Sequence, residues 1–68
     1  MTEGLSNKVR SFREGQGWTQ AELAERTGVS RKTVNTVENG VFVPSVIVAL
    51  KLSKALEQPV DALFQLTD

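Results

Sequence analysis

The sequence predicts an all-α domain of five short helices, and three observations predict it. A serine or threonine precedes each of three stretches with helical apolar spacing, at Thr19, Ser30 and Ser45, where a hydroxyl can accept from the free amides of a first turn. A glycine or proline follows the same stretches, at Gly28, Gly40 and Pro59, where a helix must end. No stretch alternates apolar and polar residues as a half-buried strand would.

Each helix has its own warrant. Asn7 to Glu14 places Val9 and Phe12 on one side with Leu5, a first helix that ends at Gly15 or Gly17. Thr19 followed three residues later by Glu22 reads as a capping box, and Trp18 can staple onto Leu23 across the first turn of the second helix. Ala21, Leu23 and Ala24 supply that helix with an inner face. Ser30 caps a third helix with Val34 and Val37 inward, closed by Asn39-Gly40, and Val41 to Pro44 form a loop. Ser45 caps a fourth, with Val46, Ala49, Leu50, Leu52, Ser53 and Leu56 inward and Lys51 and Lys54 outward. Pro59 breaks it, and Val60 to Leu66 form a short fifth helix.

Sixty-eight residues make one domain spanning 1–68, with a core from 7 to 64. A chain of this length buries only roughly 60% of its unfolded surface, so modest stability is expected. Cysteine and histidine are both absent. That removes disulfides, thiolate metal sites and the usual nucleophile–base pairs, and no glycine-rich phosphate loop is present, so an enzyme is nearly excluded. No cofactor, metal or small-molecule substrate is expected. No apolar run approaches the ~20 residues of a membrane span, and the N-terminus lacks a signal-peptide core. A soluble, cytoplasmic domain without membrane contact is the expectation.

The formal net charge of zero hides an uneven distribution. Through Lys32 the chain carries six cations (Lys8, Arg10, Arg13, Arg26, Arg31 and Lys32) against four carboxylates (Glu3, Glu14, Glu22 and Glu25), a balance of +2. From Thr33 onward Lys51 and Lys54 face Glu38, Glu57, Asp61 and Asp68, a balance of −2. A basic face on the first half suits phosphate contact, while the neutral total predicts weak non-specific binding.

Residues 19–39 read as two helices joined by a tight glycine turn, the pattern of a helix-turn-helix. Around it stand the strings R-x-x-x-G-W-T-Q-x-x-L-A from Arg13, G-V-S-R-x-T-V from Gly28, E-N-G-x-x-x-P-S from Glu38 and A-L-K-L-S-K-A-L from Ala49. With these motifs the chain resembles the phage repressor and Cro type of helix-turn-helix protein, the xenobiotic-response-element family, over roughly Asn7 to Phe64. The resemblance implies a lambda-repressor-like domain with the motif on helices two and three, and a role in binding DNA. The chain looks like a stand-alone DNA-binding domain without a sensor or effector module.

On the second motif helix, Arg31, Lys32, Asn35 and Thr36 share one outward face. Arginine and lysine can engage guanine O6 and N7, asparagine can pair bidentately with adenine, and threonine can touch a thymine methyl. The same residues would make an ordinary solvated face on any surface helix; the resemblance, in which these positions read bases, selects base reading. Gln20 lies at a helix start that attracts phosphate, and the resemblance implies that it grips a backbone phosphate and buttresses the reading helix. Ser30, Thr33 and Asn39 are further phosphate candidates, with the amides of Gly40 to Phe42 beside them; Ser30 and Thr19 are also plain caps. The resemblance pairs Arg13 with Glu38 as a structural ion pair. Trp18, Leu23, Val34, Val37, Leu50 and Leu56 read as core.

The chain departs from the family pattern at Val41-Phe42-Val43 and Ile47, where polar residues are usual, and at Glu57 and Pro59, where a helix-ending glycine and a capping serine are usual. Glu57 leaves the end of helix four open. The apolar replacements either cover the edge of the core or form a partner surface. The leading functional expectation is a sequence-specific regulator of transcription, a repressor, binding double-stranded DNA as a homodimer on a two-fold operator. Val43, Ile47 and Val60 are the candidate dimer contacts. The alternative is an antitoxin-like or adaptor protein whose main partner is another protein.

Overall fold

A computed structural model describes residues 4–67; Glu3 and Asp68, which enter the charge balance above, lie outside the described residues. The element order is β1 (Leu5–Asn7), α1 (Val9–Gly15), α2 (Gln20–Thr27), α3 (Arg31–Glu38), α4 (Val46–Leu56), α5 (Val60–Leu63) and β2 (Phe64–Leu66). Five helices among the described residues make the fold mostly helical. The all-α expectation needs one correction, because β1 and β2 pair antiparallel with Leu5 opposite Leu66, Ser6 opposite Gln65 and Asn7 opposite Phe64. Thr67 N donates to Gly4 O at 3.0 Å and Lys8 N to Leu63 O at 2.8 Å, extending the pairing at both ends.

The strands displace two expected helix ends. α1 starts at Val9 rather than Asn7, because the Asn7 carboxamide oxygen accepts from Val9 N at 3.1 Å and opens the helix from outside. Its amino group donates to Val37 O at 2.9 Å, serving a carbonyl at the end of α3. α5 stops at Leu63 rather than Leu66, since Phe64 turns to extended backbone with φ −128°.

Three serine and threonine caps form. Thr19, Ser30 and Ser45 accept from Glu22, Thr33 and Val48 amides at 3.1, 3.0 and 3.2 Å. The capping box is half made: the Glu22 carboxylate turns to Arg26 at 3.2 Å, one turn along its own helix. Gly28 ends α2 in the left-handed region at φ 76°. Glu57 takes the same role after α4 at φ 55°, a conformation that strains any residue bearing a Cβ. That is how α4 ends without the usual glycine.

Val9, Leu23, Ala24, Val34, Val37, Leu52, Leu56 and Leu63 form the buried core. Trp18 is half-buried at its edge, and the Arg26 guanidinium lies 4.1 Å from its ring centroid, a cation–π stack. Ala21 is exposed rather than inward. The larger correction concerns α4. Leu52 and Leu56 are buried, with Val48 and Ala55 packed beside them, whereas Val46 and Leu50 are 74% and 56% exposed. The α4 sequence is apolar on nearly every side until Lys51, so two stripes compete for the core. The Val48–Leu52–Ala55–Leu56 stripe, spaced four, three and one, takes it.

Candidate nucleic-acid interface

α2 and α3 are joined by Gly28, Val29 and Ser30. Val34 and Val37 anchor the inner side of α3, leaving Arg31, Lys32 and Asn35 exposed and Thr33 and Thr36 half-buried. Arg31 and Lys32 take part in none of the ion pairs among the described residues, so their charge is open to an external anion or base edge. Gln20, Arg31, Lys32 and Asn35 line one shallow depression between α2 and α3. The Thr36 hydroxyl donates to Thr33 O at 3.0 Å, so its one hydrogen is engaged within α3. Ser30 and Thr33 hydroxyls lie 2.8 Å apart beside the cap.

Beneath this face sits Glu38, whose side chain is fully buried. Arg13 donates to it twice, from Nε to Oε2 at 2.7 Å and from Nη2 to Oε1 at 3.1 Å. A third Arg13 bond, from Nη1 to Trp18 O at 2.8 Å, closes the chain before α2 onto the same guanidinium. Arg10 adds a longer contact at 3.4 Å, and Gln20 Nε2 donates to Oε1 at 3.1 Å. Burial pushes the Glu38 carboxyl up, but the hydrogen bonds from Arg13, Gln20 and Arg10 outweigh it and hold the group below its ordinary range. The hydrogen bond to Glu38 correspondingly raises Arg13 above an already high value. One carboxylate thus gathers α1, α2 and α3.

Four polar side chains extend this network to the surface. Gln20 Nε2 also donates to Asn35 Oδ1 at 3.3 Å, Asn39 Nδ2 donates to the same oxygen at 3.2 Å, and Arg10 Nη2 donates to Asn39 Oδ1 at 3.1 Å. Both Gln20 amide hydrogens are therefore engaged within the domain. Its side chain buttresses α3, while its main-chain N–H lies in the first turn of α2, where amides have no acceptor in the helix. Arg10 escaped the sequence reading; its signal was the spacing of three from Arg13, which puts both guanidinium groups on one face of α1.

Val43 and Ile47 are 79% and 66% exposed. They stand with Val41, Phe42, Val46, Leu50 and Leu66 among the large exposed apolar side chains, while Val60 is half-buried. Val43 and Leu66 line one open recess with Leu5, so the loop before α4 and the strand pair border the same stretch of surface. Among the described residues no helix is long and apolar enough to cross a membrane.

Comparison with known proteins agrees with this architecture. The chain is 39% identical over 64 residues to the uncharacterized HTH-type transcriptional regulator YgzD of Bacillus subtilis, covering 94% of this chain and 97% of YgzD. Its structure is similar to that of the restriction-modification controller protein C.AhdI from Aeromonas hydrophila, with a TM-score of 0.77 and 33% identity over 81% of this chain and 83% of that one. It is also similar to the biofilm master regulator SinR in complex with DNA, with a TM-score of 0.74 and 28% identity over 78% of this chain and 86% of SinR. The helix-turn-helix family HTH_3 matches residues 9–63, and the chain belongs to that family, among the phage repressor and Cro-type helix-turn-helix proteins.

Proposed function

We propose that the protein is a sequence-specific double-stranded DNA-binding regulator of transcription, acting as a repressor by occupying a two-fold operator as a homodimer. In this reading α2 and α3 are the helix-turn-helix and α3 enters the major groove. The observation that carries it is the division of α3 into two faces. One is locked to α1 and α2 through Glu38; the other presents Arg31, Lys32 and Asn35 with no ion pair among the described residues. Arg31, Lys32, Asn35 and Thr36 read bases. Ser30, Thr33, Asn39 and the main-chain amide of Gln20 take phosphates, which fix register without carrying sequence information.

A single reading helix covers too few base pairs for useful specificity, so two copies on two half-sites are expected. The exposed apolar residues Val43 and Ile47, with Val46 and Leu50 on α4, are the proposed surface for that pairing, and the half-buried Val60 is a further candidate. The same surface supports the second reading, an antitoxin-like or adaptor role in which another protein covers it. Selection from random duplexes with purified protein tests the proposal. It should return two inverted half-sites whose centres lie about 10 base pairs apart; recovery of no preferred sequence would refute it.

A further inference from the structure

We infer that the polar network behind α3 holds Asn35 as a pure hydrogen-bond donor, so that the base pair it reads is G·C, contacted through guanine. The inference rests on the proposed docking of α3 in the major groove.

The orientation of each amide follows from groups that have only one hydrogen-bonding character. Carboxylate Glu38 can only accept, so Gln20 must turn its amino group, not its carbonyl, toward Oε1. The second hydrogen of that amino group then meets Asn35, which must answer with its carbonyl oxygen. From the other end, the Arg10 guanidinium can only donate, so Asn39 must turn its carbonyl toward it. The Asn39 amino group is left facing Asn35, which again must answer with oxygen. Two independent chains, one starting at a buried anion and one at a cation, therefore impose the same orientation on Asn35. Turning that amide over would set its amino group against two other amino groups.

Both acceptor positions on Asn35 Oδ1 are filled from within the domain, and the outward part of the side chain is its amino group with two hydrogens. Bidentate pairing with adenine needs the asparagine oxygen for the adenine amino group, and that oxygen is occupied. Against adenine the Asn35 amino group would face another amino group, with N7 as the one acceptor. Guanine offers O6 and N7, both acceptors. The neighbours agree in sign: Arg31 and Lys32, which line the same depression, carry donors alone.

The test is selection from random duplexes with the wild-type protein, Asn35→Ala, and the double variant Gln20→Ala/Asn39→Ala. Wild type should select G·C at the one position where Asn35→Ala becomes indifferent, and an A·T pair there should weaken binding about tenfold. In the double variant Asn35 is free to turn its oxygen outward, and the preference at that position should relax toward A·T by a similar factor. The readout is the preference at that position, whatever overall affinity is lost with the Asn39 side chain. An A·T pair at the Asn35 position in the wild type, no position altered by Asn35→Ala, or an undiminished G·C preference in the double variant would each overturn the inference while leaving DNA binding intact. If circular dichroism shows the double variant unfolded, the wild-type and Asn35→Ala comparison decides alone. Failure of the wild type to select any duplex would remove the proposed function, and this inference with it.

Discussion

Arg13 and Glu38 meet through two hydrogen bonds, at 2.7 and 3.1 Å, where α1 crosses the end of α3. The carboxylate is fully buried and the arginine side chain is 10% exposed. A buried pair of this kind adds little net stability, because both ions lose water; removing one partner is costly, because the other stays buried without compensation. Here it ties α1 to the last residue of α3.

Glu38→Ala should therefore destabilise the protein by about 2–4 kcal/mol, well beyond an ordinary surface change. Urea melts would measure it. The double variant with Arg13→Ala should lose less than the sum of the two single losses, and strict additivity would remove the coupling from the account.

Acid should expose the same pair. The folded-state pKa of Glu38 lies below its ordinary value of 4.5. Above that value the carboxylate is ionised in folded and unfolded chains alike, and its full stabilisation is present. As pH falls below about 4.5 toward the lower folded value, the unfolded chain binds the proton first and stability declines. The difference in urea midpoint between wild type and Glu38→Gln should be constant near neutral pH and shrink through this acid range. A difference that stays unchanged there would contradict the assignment.

The end of α4 allows the opposite change. Glu57 holds φ 55° with a full side chain, and glycine adopts that conformation without steric cost. Glu57→Gly should raise stability by about 0.5–1 kcal/mol in thermal melts. A loss of stability would mean that the Glu57 side chain makes a contribution larger than the backbone strain.

Ile47→Glu addresses assembly. If the proposed homodimer forms, this change should shift it toward monomer in sedimentation while preserving the helical signal, and operator affinity should fall steeply because each monomer loses the second half-site. A protein that is monomeric at high concentration and still binds one half-site tightly would contradict the dimer.

Much of the fold was legible because its signals are local. Thr19, Ser30 and Ser45 each accept from the amide three residues on, and Gly28 takes the left-handed turn. The strand pair was not legible, since three-residue strands carry no usable alternation and Leu5 finds its partner at Leu66, the other end of the chain. Nor was the rotation of α4, whose apolar residues surround the helix and leave no unique inner face. At the site, the exposure of Arg31, Lys32 and Asn35 followed from spacing, whereas Thr36, read as outward with them, is half-buried. The engagement of Gln20 and Asn35 did not, because it arises from Glu38 and Arg10 arriving from other turns of the structure.

The most direct measurement of the central claim is the binding of wild type and Arg31→Ala to the selected operator and to random duplex, by fluorescence anisotropy at one fixed salt concentration. The account predicts a loss of about 1–3 kcal/mol on the operator, relaxed preference at one base pair, and a much smaller loss on random DNA. An equal loss on both would mean that Arg31 serves the backbone alone, and would contradict α3 as the reading helix.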